Sequence, residues 1–403
     1  MLKDKNIILG VTGGIAAYKA ADLVSKLNKQ HANVEVIMTE GATKFVTPLT
    51  FQTMSQNSVH TEMFGEVTNF DVEHISLAQK ADVILIAPAT ANTIGKIANG
   101  IADNMLTTVV MASNAKIIFA PAMNMTMYNS PMVQANIEKL KKIGCEFIKP
   151  GVGILACGDY GAGKMAEPSD IVDYVVSSFV KKDLLGKNIV VTAGPTIEPL
   201  DPVRFITNHS SGKMGYNIAK EAHDRGAEVV LITGPSNLLP PEGVVVVNVE
   251  TTQDMFDAVG KYFNNCDVLI KAAAPLDYKP EVVSPIKIKK KDGEEDFLNL
   301  KFIRNPDIAA YYGKLKDRQI IVGFAAETNN VFEYASEKLE KKNFDFIVAN
   351  DITEVGAGFR TETNIATIIE KNGVYVKHPL MGKKHLAKII MDKVFYIMED
   401  RAR

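Results

Sequence analysis

Residues 6–30 read NIILGVTGGIAAYKAADLVSKLNKQ, and this segment carries the strongest indication of fold class in the sequence. The apolar run Asn6–Leu9 predicts a strand, Gly13-Gly14 predicts a tight turn, and Ala16–Gln30 has the spacing of an amphipathic helix. A second apolar run, Asn33–Met38, predicts the next strand. A strand, a turn, a crossover helix and a further strand form the unit from which parallel sheets are built.

The same alternation continues through the first half of the chain. Further strand-like runs, each bounded by turn residues, are Val83–Ala87, Ile117–Ala120 and Cys145–Ile148. This pattern predicts an α/β fold with a doubly wound parallel sheet and helices on both faces. Ligands of such sheets bind at the carboxyl ends of the strands. Because Gly13-Gly14, Pro88–Thr93 and Pro121–Asn124 each follow a predicted strand, we expect a binding site at this edge of the sheet.

A second series of strands and helices begins after a polar segment, KKDLLGK, at residues 181–187. The sequence NIVVTAGPT that follows repeats the order of a strand and a glycine turn, although the two halves are not sequence repeats. We place the domain boundary near residue 185, which divides the chain into 1–185 and 186–403. The charged stretch Pro280–Asn299 predicts a flexible excursion from the second domain, such as a β-hairpin arm.

Composition excludes several classes of protein. A formal net charge of −2 over 403 residues argues against nucleic acid or an anionic membrane as the main partner. The cysteines Cys145, Cys157 and Cys266 are too few for a disulfide framework or a zinc site, and they fit a reducing cytosol. The first apolar run is too short for a signal peptide, and no stretch reaches the ~18 apolar residues of a membrane span. We therefore expect a cytoplasmic protein.

Four features of the first half each allow a functional and a structural interpretation. Gly13-Gly14 could present backbone N–H groups to a phosphate or could simply form a turn, and the G-x-G-x-x-G fingerprint of dinucleotide sites is absent. The segment Ala89–Thr93 could bind a phosphate or the edge of a flavin, or could cap a helix. His74 could transfer protons near neutral pH or be a hydrogen-bonded structural residue. Asn124 could bind a carboxylate or turn the chain.

The run ACGDYGAGKMAEP, residues 156–168, places Cys157 in a glycine-rich polar loop. Structural cysteines more often pack in apolar elements as small hydrophobic side chains. The run therefore predicts either a mobile lid that carries a reactive thiol or a plain surface loop.

The second half contains weaker signals. Ser210–Lys213 resembles a fragment of a phosphate loop, but the first glycine and the magnesium-binding Ser or Thr are missing, which excludes a P-loop NTPase. A helix start that accepts a phosphate remains open. Asp277 follows a predicted strand, and Lys287 belongs to a charged run of a kind that is usually solvated. Lys338 and Lys342, four residues apart on one helix face, could bind a triphosphate or belong to a surface helix.

Together these segments resemble one family, the bifunctional bacterial enzymes of coenzyme A synthesis that join phosphopantothenate–cysteine ligase to phosphopantothenoylcysteine decarboxylase. The motifs that carry the resemblance are VTGGIAAYK, VEHISLA, APATANTIGKIANGIADN, PAMNMTMY, ACGDYGAGKMAEP, TAGPTIEPLDPVRFITNHSSGKMG, KAAAPLDYKP, KIKK, NPDI, GFAAET and ANDI. The resemblance implies two doubly wound Rossmann-like domains. The first would be a flavodoxin-like flavoprotein domain of the cysteine-decarboxylase type.

For residues 1–185, the resemblance implies an FMN-dependent phosphopantothenoylcysteine decarboxylase. FMN would bind at Gly13, Gly14, Thr39, Thr90, Ala91, Asn92, Thr93 and Ala122. His74 would be the catalytic base, Asn124 would bind the substrate carboxylate, and Cys157 would donate the final proton. Oxidation of the substrate thiol to a thioaldehyde would create the electron sink that a simple amino-acid carboxylate lacks.

For residues 186–403, the resemblance implies a CTP-dependent ligase that joins L-cysteine to 4′-phosphopantothenate through an acyl cytidylate, with Mg2+ bridging the phosphates. CTP would bind at Lys271, Ala272, Ala273, Asp277, Lys287, Pro306, Asp307, Ile308, Ala309, Phe324, Lys338 and Lys342. Lys287 would neutralise phosphate charge during activation. Asn208 would bind the acyl cytidylate beside Arg204.

The resemblance also implies a homo-oligomer with trimeric decarboxylase contacts and dimeric ligase contacts, which together would give a dodecamer. Two other hypotheses belong to different functional classes. One is a flavin- or nucleotide-binding regulatory protein without catalysis, which the presence of His74, Asn124, Cys157 and Lys287 together disfavours. The other is a nicotinamide dehydrogenase, which the missing G-x-G-x-x-G disfavours.

Overall fold

The computed structural model describes residues 2–63, 72–154, 160–289, 298–327, 330–351, 358 and 361–402. Contacts divide the chain into two units, Met1–Phe179 and Val180–Arg403. This division falls a few residues before the predicted boundary near residue 185. Each unit has its own sheet and its own hydrophobic core.

The first unit alternates strands and helices from its beginning. Its elements are β1 (Asn6–Val11), α1 (Ala17–Lys29), β2 (Asn33–Met38), α2 (Glu40–Thr43), α3 (Pro48–Ser55), β3 (Val59–His60), α4 (Glu73–Lys80), β4 (Val83–Ala89), α5 (Ala91–Ala98), α6 (Met105–Ala112), β5 (Lys116–Pro121), α7 (Met125–Tyr128), α8 (Pro131–Lys142), β6 (Glu146–Phe147), β7 (Gly151–Ile154), β8 (Tyr160–Lys164) and α9 (Pro168–Ser178).

Six parallel strands form the sheet of the first unit, in the order β3-β2-β1-β4-β5-β6. This is the strand order of the doubly wound dinucleotide-binding fold. The central strand β4 is buried on both faces, because Val83, Leu85 and Ala87 pack into one core while Ile84 and Ile86 pack into the other. Strands β7 and β8 pair separately as an antiparallel hairpin.

The second unit has the same alternation with additional short hairpins. Its elements are β9 (Asn188–Ala193), β10 (Ile197–Pro199), β11 (Phe205–Thr207), α10 (Lys213–Asp224), β12 (Glu228–Thr233), β13 (Val245–Asn248), α11 (Thr252–Phe263), β14 (Val268–Lys271), β15 (Tyr278–Pro280), β16 (Phe302–Arg304), α12 (Ile308–Leu315), β17 (Ile320–Glu327), α13 (Val331–Lys341), β18 (Phe346–Asp351), β19 (Thr363–Glu370), β20 (Tyr375–Gly382) and α14 (Lys383–Ala402).

The main sheet of the second unit has the order β13-β12-β9-β14-β17-β18-β19-β20. The first six strands are parallel and repeat the topology of the first unit, whereas β19 and β20 are antiparallel and complete one edge. Cores on both faces of this sheet explain its apolar strands. The predicted fold class, two doubly wound Rossmann-like domains, is confirmed.

Two short hairpins lie outside the main sheet of the second unit. Strand β10 pairs with β11, and β15 pairs antiparallel with β16. The β15–β16 ladder closes the charged excursion at its base, as expected for a hairpin arm. We call residues 281–301 the arm; its residues 290–297 lie outside the described part of the chain.

Candidate functional sites

A cavity of about 970 Å³ opens at the carboxyl ends of the strands of the first unit. The turns after β1, β2, β4 and β5 all contribute to its wall, as the topology predicts. Its lining residues are Gly13, Gly14, Ile15, Ala16, Tyr18, Lys19, Thr39, Glu40, Gly41, Thr90, Ala91, Asn92, Thr93, Lys96, Asp103, Asn104, Ala122, Met123, Asn124, Met127, Gly163, Lys164 and Met165. All eight positions predicted to bind FMN lie on this wall, together with Asn124.

Gly13 has no space for a side chain. A Cβ atom at this position would lie 2.8 Å from the carbonyl carbon of Gly41, so the turn after β1 packs directly on the backbone of α2. This close approach brings the start of α1 and the segment after β2 to the same cavity. The glycine is therefore needed for backbone packing at the cavity wall.

Threonine and asparagine side chains cap the helices that begin at this wall. Thr39 accepts a hydrogen bond from the N–H of Ala42 at 3.3 Å, and Thr90 accepts one from the N–H of Thr93 at 3.4 Å. Thr12 donates to the carbonyl of Pro88 at 2.6 Å and thereby joins the ends of β1 and β4. The same residues therefore both cap helices and line the cavity.

Asn124 lies at the N-terminus of α7 and also lines the cavity. Its Oδ1 atom accepts a hydrogen bond from the N–H of Thr126 at 2.7 Å, which fixes the orientation of the amide. Strand β8 packs on the same segment, because the N–H of Met123 donates to the carbonyl of Gly163 at 2.9 Å. A Cβ on Gly163 would lie 2.3 Å from the carbonyl oxygen of Met123, so the glycine permits this contact.

The structure does not bring His74 to this cavity. His74 is the second residue of α4, is partly buried, and is absent from the described residues that line the cavity. The carboxylate of its neighbour Glu73 accepts a hydrogen bond from Nδ1 of His60 at 2.6 Å. Cys157 lies among residues 155–159, outside the described residues.

Several polar residues of the first cavity were not predicted from the sequence. Lys19 lies in the first turn of α1 and donates to Glu167 at 2.8 Å, and this hydrogen bond lowers the pKa of the Glu167 carboxyl. Asn104 forms a capping box with Thr107 at the start of α6. The N-x-x-T spacing of that capping box was the available sequence signal.

A second cavity, of about 520 Å³, opens at the carboxyl ends of β14, β17 and β18 in the second unit. Its lining residues are Asn208, His209, Ser210, Ser211, Gly212, Lys213, Met214, Lys271, Ala272, Ala273, Ala274, Pro275, Leu276, Asp277, Asn305, Pro306, Asp307, Ile308, Ala309, Phe324, Ala325, Ala326, Lys338, Lys342, Phe344, Asn350, Gly358, Asn364 and Lys383. Of the positions predicted to bind CTP, eleven lie on this wall and Lys287 does not.

Polar groups around the second cavity are held by specific contacts. Asn208 donates through Nδ2 to the carbonyls of Ala274 and Pro275, at 3.1 and 3.2 Å, and so connects the loop after β11 to the loop after β14. Asp307 caps α12 by accepting from the N–H of Ala310 at 2.9 Å and forms an ion pair with Lys342 at 3.1 Å.

Lys287 and Arg204 belong to a neighbouring structure at the base of the arm. The buried carboxylate of Asp201 accepts hydrogen bonds from the N–H of Ile288 at 3.0 Å and from Nε of Arg204 at 3.0 Å. Arg204 also donates to the carbonyl of Ile288. These contacts anchor the arm to the β10–β11 hairpin and leave the Lys287 side chain exposed.

Residues missed in the second cavity include two asparagines and a buried lysine. Asn364 donates to Oδ1 of Asn350 at 3.0 Å across the β18–β19 pair. Lys383 donates to the carbonyls of Gly358 and Thr361, at 2.9 and 2.7 Å. The motif ANDI contains Asn350, but no local pattern indicates Asn364 or Lys383 because they reach the cavity from the antiparallel edge.

The described residues lack two features, a metal-binding cluster and a membrane-spanning helix. No group of three or more His, Cys, Asp and Glu side chains in this part of the chain has an arrangement that could hold a metal ion. Among the helices that the structure describes, none is both long and apolar enough to cross a bilayer.

Comparison with known proteins identifies relatives of both units. Residues 1–180 match the family model described as Flavoprotein, and residues 184–397 match that of the DNA/pantothenate metabolism flavoprotein C-terminal domain. The coenzyme A biosynthesis bifunctional protein CoaBC of Bacillus subtilis strain 168 is 47% identical over 398 residues, which cover 98% of this chain and 97% of that protein.

The corresponding CoaBC protein of Escherichia coli strain K12 is 43% identical over 404 residues, covering 100% of this chain and 99% of that protein. The solved C-terminal domain of a CoaBC protein is 44% identical and covers 55% of this chain and 100% of that domain, with a TM-score of 0.47. Because the similarity to both bifunctional relatives extends over nearly the whole length of each, the chain belongs to the family of coenzyme A biosynthesis bifunctional proteins, CoaBC.

Proposed function

We propose that this enzyme makes 4′-phosphopantetheine from 4′-phosphopantothenate and L-cysteine in two reactions. The second unit ligates the two substrates with CTP through an acyl cytidylate, and the first unit decarboxylates the resulting phosphopantothenoylcysteine with FMN. The observation that carries the proposal is that each unit has a cavity at the carboxyl ends of its strands. Each cavity is lined by nearly all the residues predicted for its own reaction. The sparse cysteines support a reducing, cytoplasmic location.

The wall of the first cavity has the chemistry that FMN requires. The glycine turn after β1 leaves backbone N–H groups near the start of α1, where a phosphate binds favourably. The hydroxyls of Thr39, Thr90 and Thr93 and the amide of Asn92 supply polar contacts, while Ala122 and the neighbouring methionines supply an apolar surface for the ring. When bound, FMN supplies the oxidising capacity that makes carbon dioxide a feasible leaving group.

The chain's own residues would bind and protonate the substrate. Asn124, held by its cap on α7, would orient the carboxylate that is lost. Cys157 would donate the proton that completes the product, and the β7–β8 hairpin that flanks residues 155–159 packs directly beside Asn124. His74 would act as the base.

Because the described wall of the cavity does not include His74, we propose that a second copy of the chain completes the site. Exposed apolar side chains support an interface there, because Ile15 and Tyr18 line the cavity and are each 60% exposed. The predicted trimeric contact of the decarboxylase unit would cover such a surface.

In the second cavity, Lys338 and Lys342 would bind the triphosphate and Asn208 would bind the acyl cytidylate. When bound with the nucleotide, Mg2+ would supply positive charge that offsets the charge of the phosphates. Lys287 projects from the arm and not into the cavity of its own unit. The arm also exposes Val282 and Ile286, at 75% and 74%. We therefore propose that ligase units pair as dimers in which the arm of one copy brings Lys287 to the nucleotide of the other.

A coupled assay tests the whole proposal. The purified protein is incubated with 4′-phosphopantothenate, cysteine, CTP and magnesium, and products are followed by mass spectrometry. We expect 4′-phosphopantetheine from the wild type. We expect phosphopantothenoylcysteine to accumulate with Cys157→Ser, because ligation continues while decarboxylation cannot be completed.

The two half-reactions can fail separately. Decarboxylation of added phosphopantothenoylcysteine without any CTP-dependent ligation would contradict the assignment of the second unit alone. Full production of 4′-phosphopantetheine by Cys157→Ser would contradict the role of this thiol as proton donor and leave both activities in place.

A further inference from the structure

The second cavity contains five lysines, and four of them have partners or partial exposure that stabilises their charge. Lys213 forms an ion pair with Glu362, Lys342 forms one with Asp307, Lys383 donates to two carbonyls, and Lys338 is partly exposed on α13. The fifth lysine, Lys271, has neither a partner among the described residues nor partial exposure of this kind.

Lys271 is the last residue of β14 and is only 8% exposed. Side chains alternate along a strand, so Lys271 shares the face of Leu269, which is covered by α11, α12 and α13. Its Nζ atom forms no hydrogen bond and no ion pair with the other described residues, and the charges that act on it are those of Lys342 and Asp307. The side chain nevertheless lines the cavity.

The charges around Lys271 disfavour an ammonium group there. The charged groups that act on it are Lys342, at the C-terminal cap of α13, and Asp307 before α12. Lys338, Asp277, Lys213 and Lys383 lie elsewhere on the same wall. Burial is the largest effect on the pKa of Lys271, and the positive charge of Lys342 is the second largest. Together they lower this pKa to about 7, although the negative charge of Asp307 opposes them. Asp307 already pairs with Lys342 at 3.1 Å, so it does not compensate fully.

We propose that Lys271 is a neutral amine above neutral pH in the nucleotide-free site and takes up a proton from solvent when the triphosphate of CTP enters the cavity. The inference rests on the ligase function proposed above. A triphosphate supplies the negative charge that the site lacks, so the lone pair of Nζ accepts a proton and the resulting ammonium contacts a phosphate oxygen. No other bond is made or broken.

This arrangement would serve the ligase in a specific way. A permanently charged third lysine would repel Lys342 and Lys338 while the site is empty, whereas a neutral amine does not. The positive charge then arises only with the nucleotide. Binding of CTP should therefore weaken by about tenfold for each pH unit above neutrality, until the pH reaches the pKa of Lys271 in the complex.

Isothermal titration of the full-length protein with CTP and magnesium at pH 8.5, in buffers of different ionisation enthalpy, measures the protons taken up. The phosphates of CTP are already deprotonated at this pH, so the ligand itself contributes little. We expect close to one proton per bound CTP for the wild type at pH 8.5, and far less at pH 6, where Lys271 is already charged. We expect almost none at either pH for Lys271→Met.

Lys338→Met is the matched control, because it removes a cation from the same cavity at a partly exposed position. It should weaken CTP binding while proton uptake at pH 8.5 is retained. A merely structural role of Lys271 would change affinity or stability in Lys271→Met without changing the number of protons.

The inference would be overturned if Lys271→Met took up as many protons as the wild type, or if the wild type took up none. In both cases the observed binding of CTP would still support the ligase proposal. A ligand-free measurement separates the remaining case. The 13Cε resonance of Lys271, assigned by its loss in Lys271→Met, should titrate near pH 7, and a midpoint above 9 would overturn the inference. If Lys271 titrated near pH 7 but CTP did not bind, the ligase proposal would be overturned. CTP could then not be the ligand whose negative charge protonates Lys271.

Discussion

Gly13 joins the turn after β1 to the backbone of α2 so closely that any side chain must displace one of them. In Gly13→Ala, the added Cβ would begin 2.8 Å from the Gly41 carbonyl carbon, and a backbone atom cannot rotate away. Overpacking of this kind costs about 1–3 kcal/mol, which corresponds to a loss of FMN affinity of about five- to 150-fold if the cavity wall moves. We expect a purified protein with reduced flavin absorbance, measured as FMN bound per chain.

Gly95→Ala is the control for that substitution. Gly95 lies inside α5, and its Cβ would meet the Asn136 amide at an ordinary contact distance of 3.6 Å. Alanine in a helix interior is favoured over glycine by roughly 0.5–1 kcal/mol. The variant should keep its flavin and gain a little stability. Equal flavin loss in both variants would show that the close packing of Gly13 on Gly41 is not what preserves flavin binding.

The two described cysteines are protected from thiol reagents. Cys266 is 1% exposed, and burial raises the pKa of its thiol to about 12; burial also raises the pKa of Cys145. Both thiols are therefore protonated and inaccessible at pH 8. We expect a chromogenic disulfide reagent at pH 8 to modify at most one thiol in the native protein, and three after unfolding. Cys157→Ser should remove the native reaction, and rapid modification of two thiols would contradict the burial of the others.

The buried carboxylate of Asp201 anchors the arm near its base. Burial raises the pKa of the Asp201 carboxyl. The N–H groups of Ile288, Val203 and Arg204 and the Arg204 guanidinium lower this pKa by a larger amount, so it lies well below its ordinary value. In Asp201→Asn these donors lose their charged acceptor, and the arm that carries Lys287 is released. We expect a roughly tenfold loss of ligase kcat/KM or more, with decarboxylation of added phosphopantothenoylcysteine unchanged.

Glu281→Gln is the matched control on the same arm. It breaks an exposed ion pair with Lys301, of 2.8 Å, and exposed pairs contribute only about 0–1 kcal/mol. Its ligase activity should remain close to that of the wild type. Because the folded-state pKa of Asp201 is depressed, the stabilisation from its ionised form is present above the ordinary aspartate range, near 4, and is lost as the pH falls below it. The ligase should therefore show no pH dependence from this group between pH 6 and 9.

The strands and helices, and the edge of the sheet at which the strands end, were predictable from the sequence because they depend on local patterns. Apolar runs marked β1, β4 and β5, and the rule that ligands bind after parallel strands brought Gly13-Gly14, Thr90 and Asn124 to one cavity. The position of Thr39 in that cavity followed only from the family resemblance. The capping role of Thr90 was also predictable, whereas Asn124 was expected to bind a carboxylate or turn the chain. The sequence alone could not show that capping and lining of the cavity coincide.

Features that depend on long-range contacts were not predictable. Strand alternation assigns Lys271 to a face of its sheet, but its depth depends on α12 and α13, which follow far along the chain. The link from Asp201 to Ile288 spans 87 residues and leaves no local signal. His74 was correctly placed at a helix start, but only tertiary structure determines which cavity that helix approaches.

At the scale of the whole molecule, two units with the strand order 3-2-1-4-5-6 follow one another in a single chain. Each sheet has a buried core on both of its faces, so neither unit needs the other to complete its own hydrophobic layers. Residues 1–179, produced alone, should therefore fold, bind flavin and decarboxylate added phosphopantothenoylcysteine. Residues 180–403 should fold and ligate. An unfolded fragment by circular dichroism would contradict this independence.

The start of the second fragment decides its stability. The guanidinium of Arg225, only 4% exposed, forms two hydrogen bonds with Asp183, at 2.8 and 2.9 Å, and Leu184 is fully buried nearby. A fragment that begins at residue 186 loses both, leaving Arg225 with Asp392 as its remaining carboxylate partner among the described residues. Removing one partner of a buried pair costs about 3–5 kcal/mol, and lost burial of a leucine adds to this. We expect residues 186–403 to unfold at clearly lower urea concentration than residues 180–403. Equal midpoints would mean that the segment before β9 contributes nothing to the second unit.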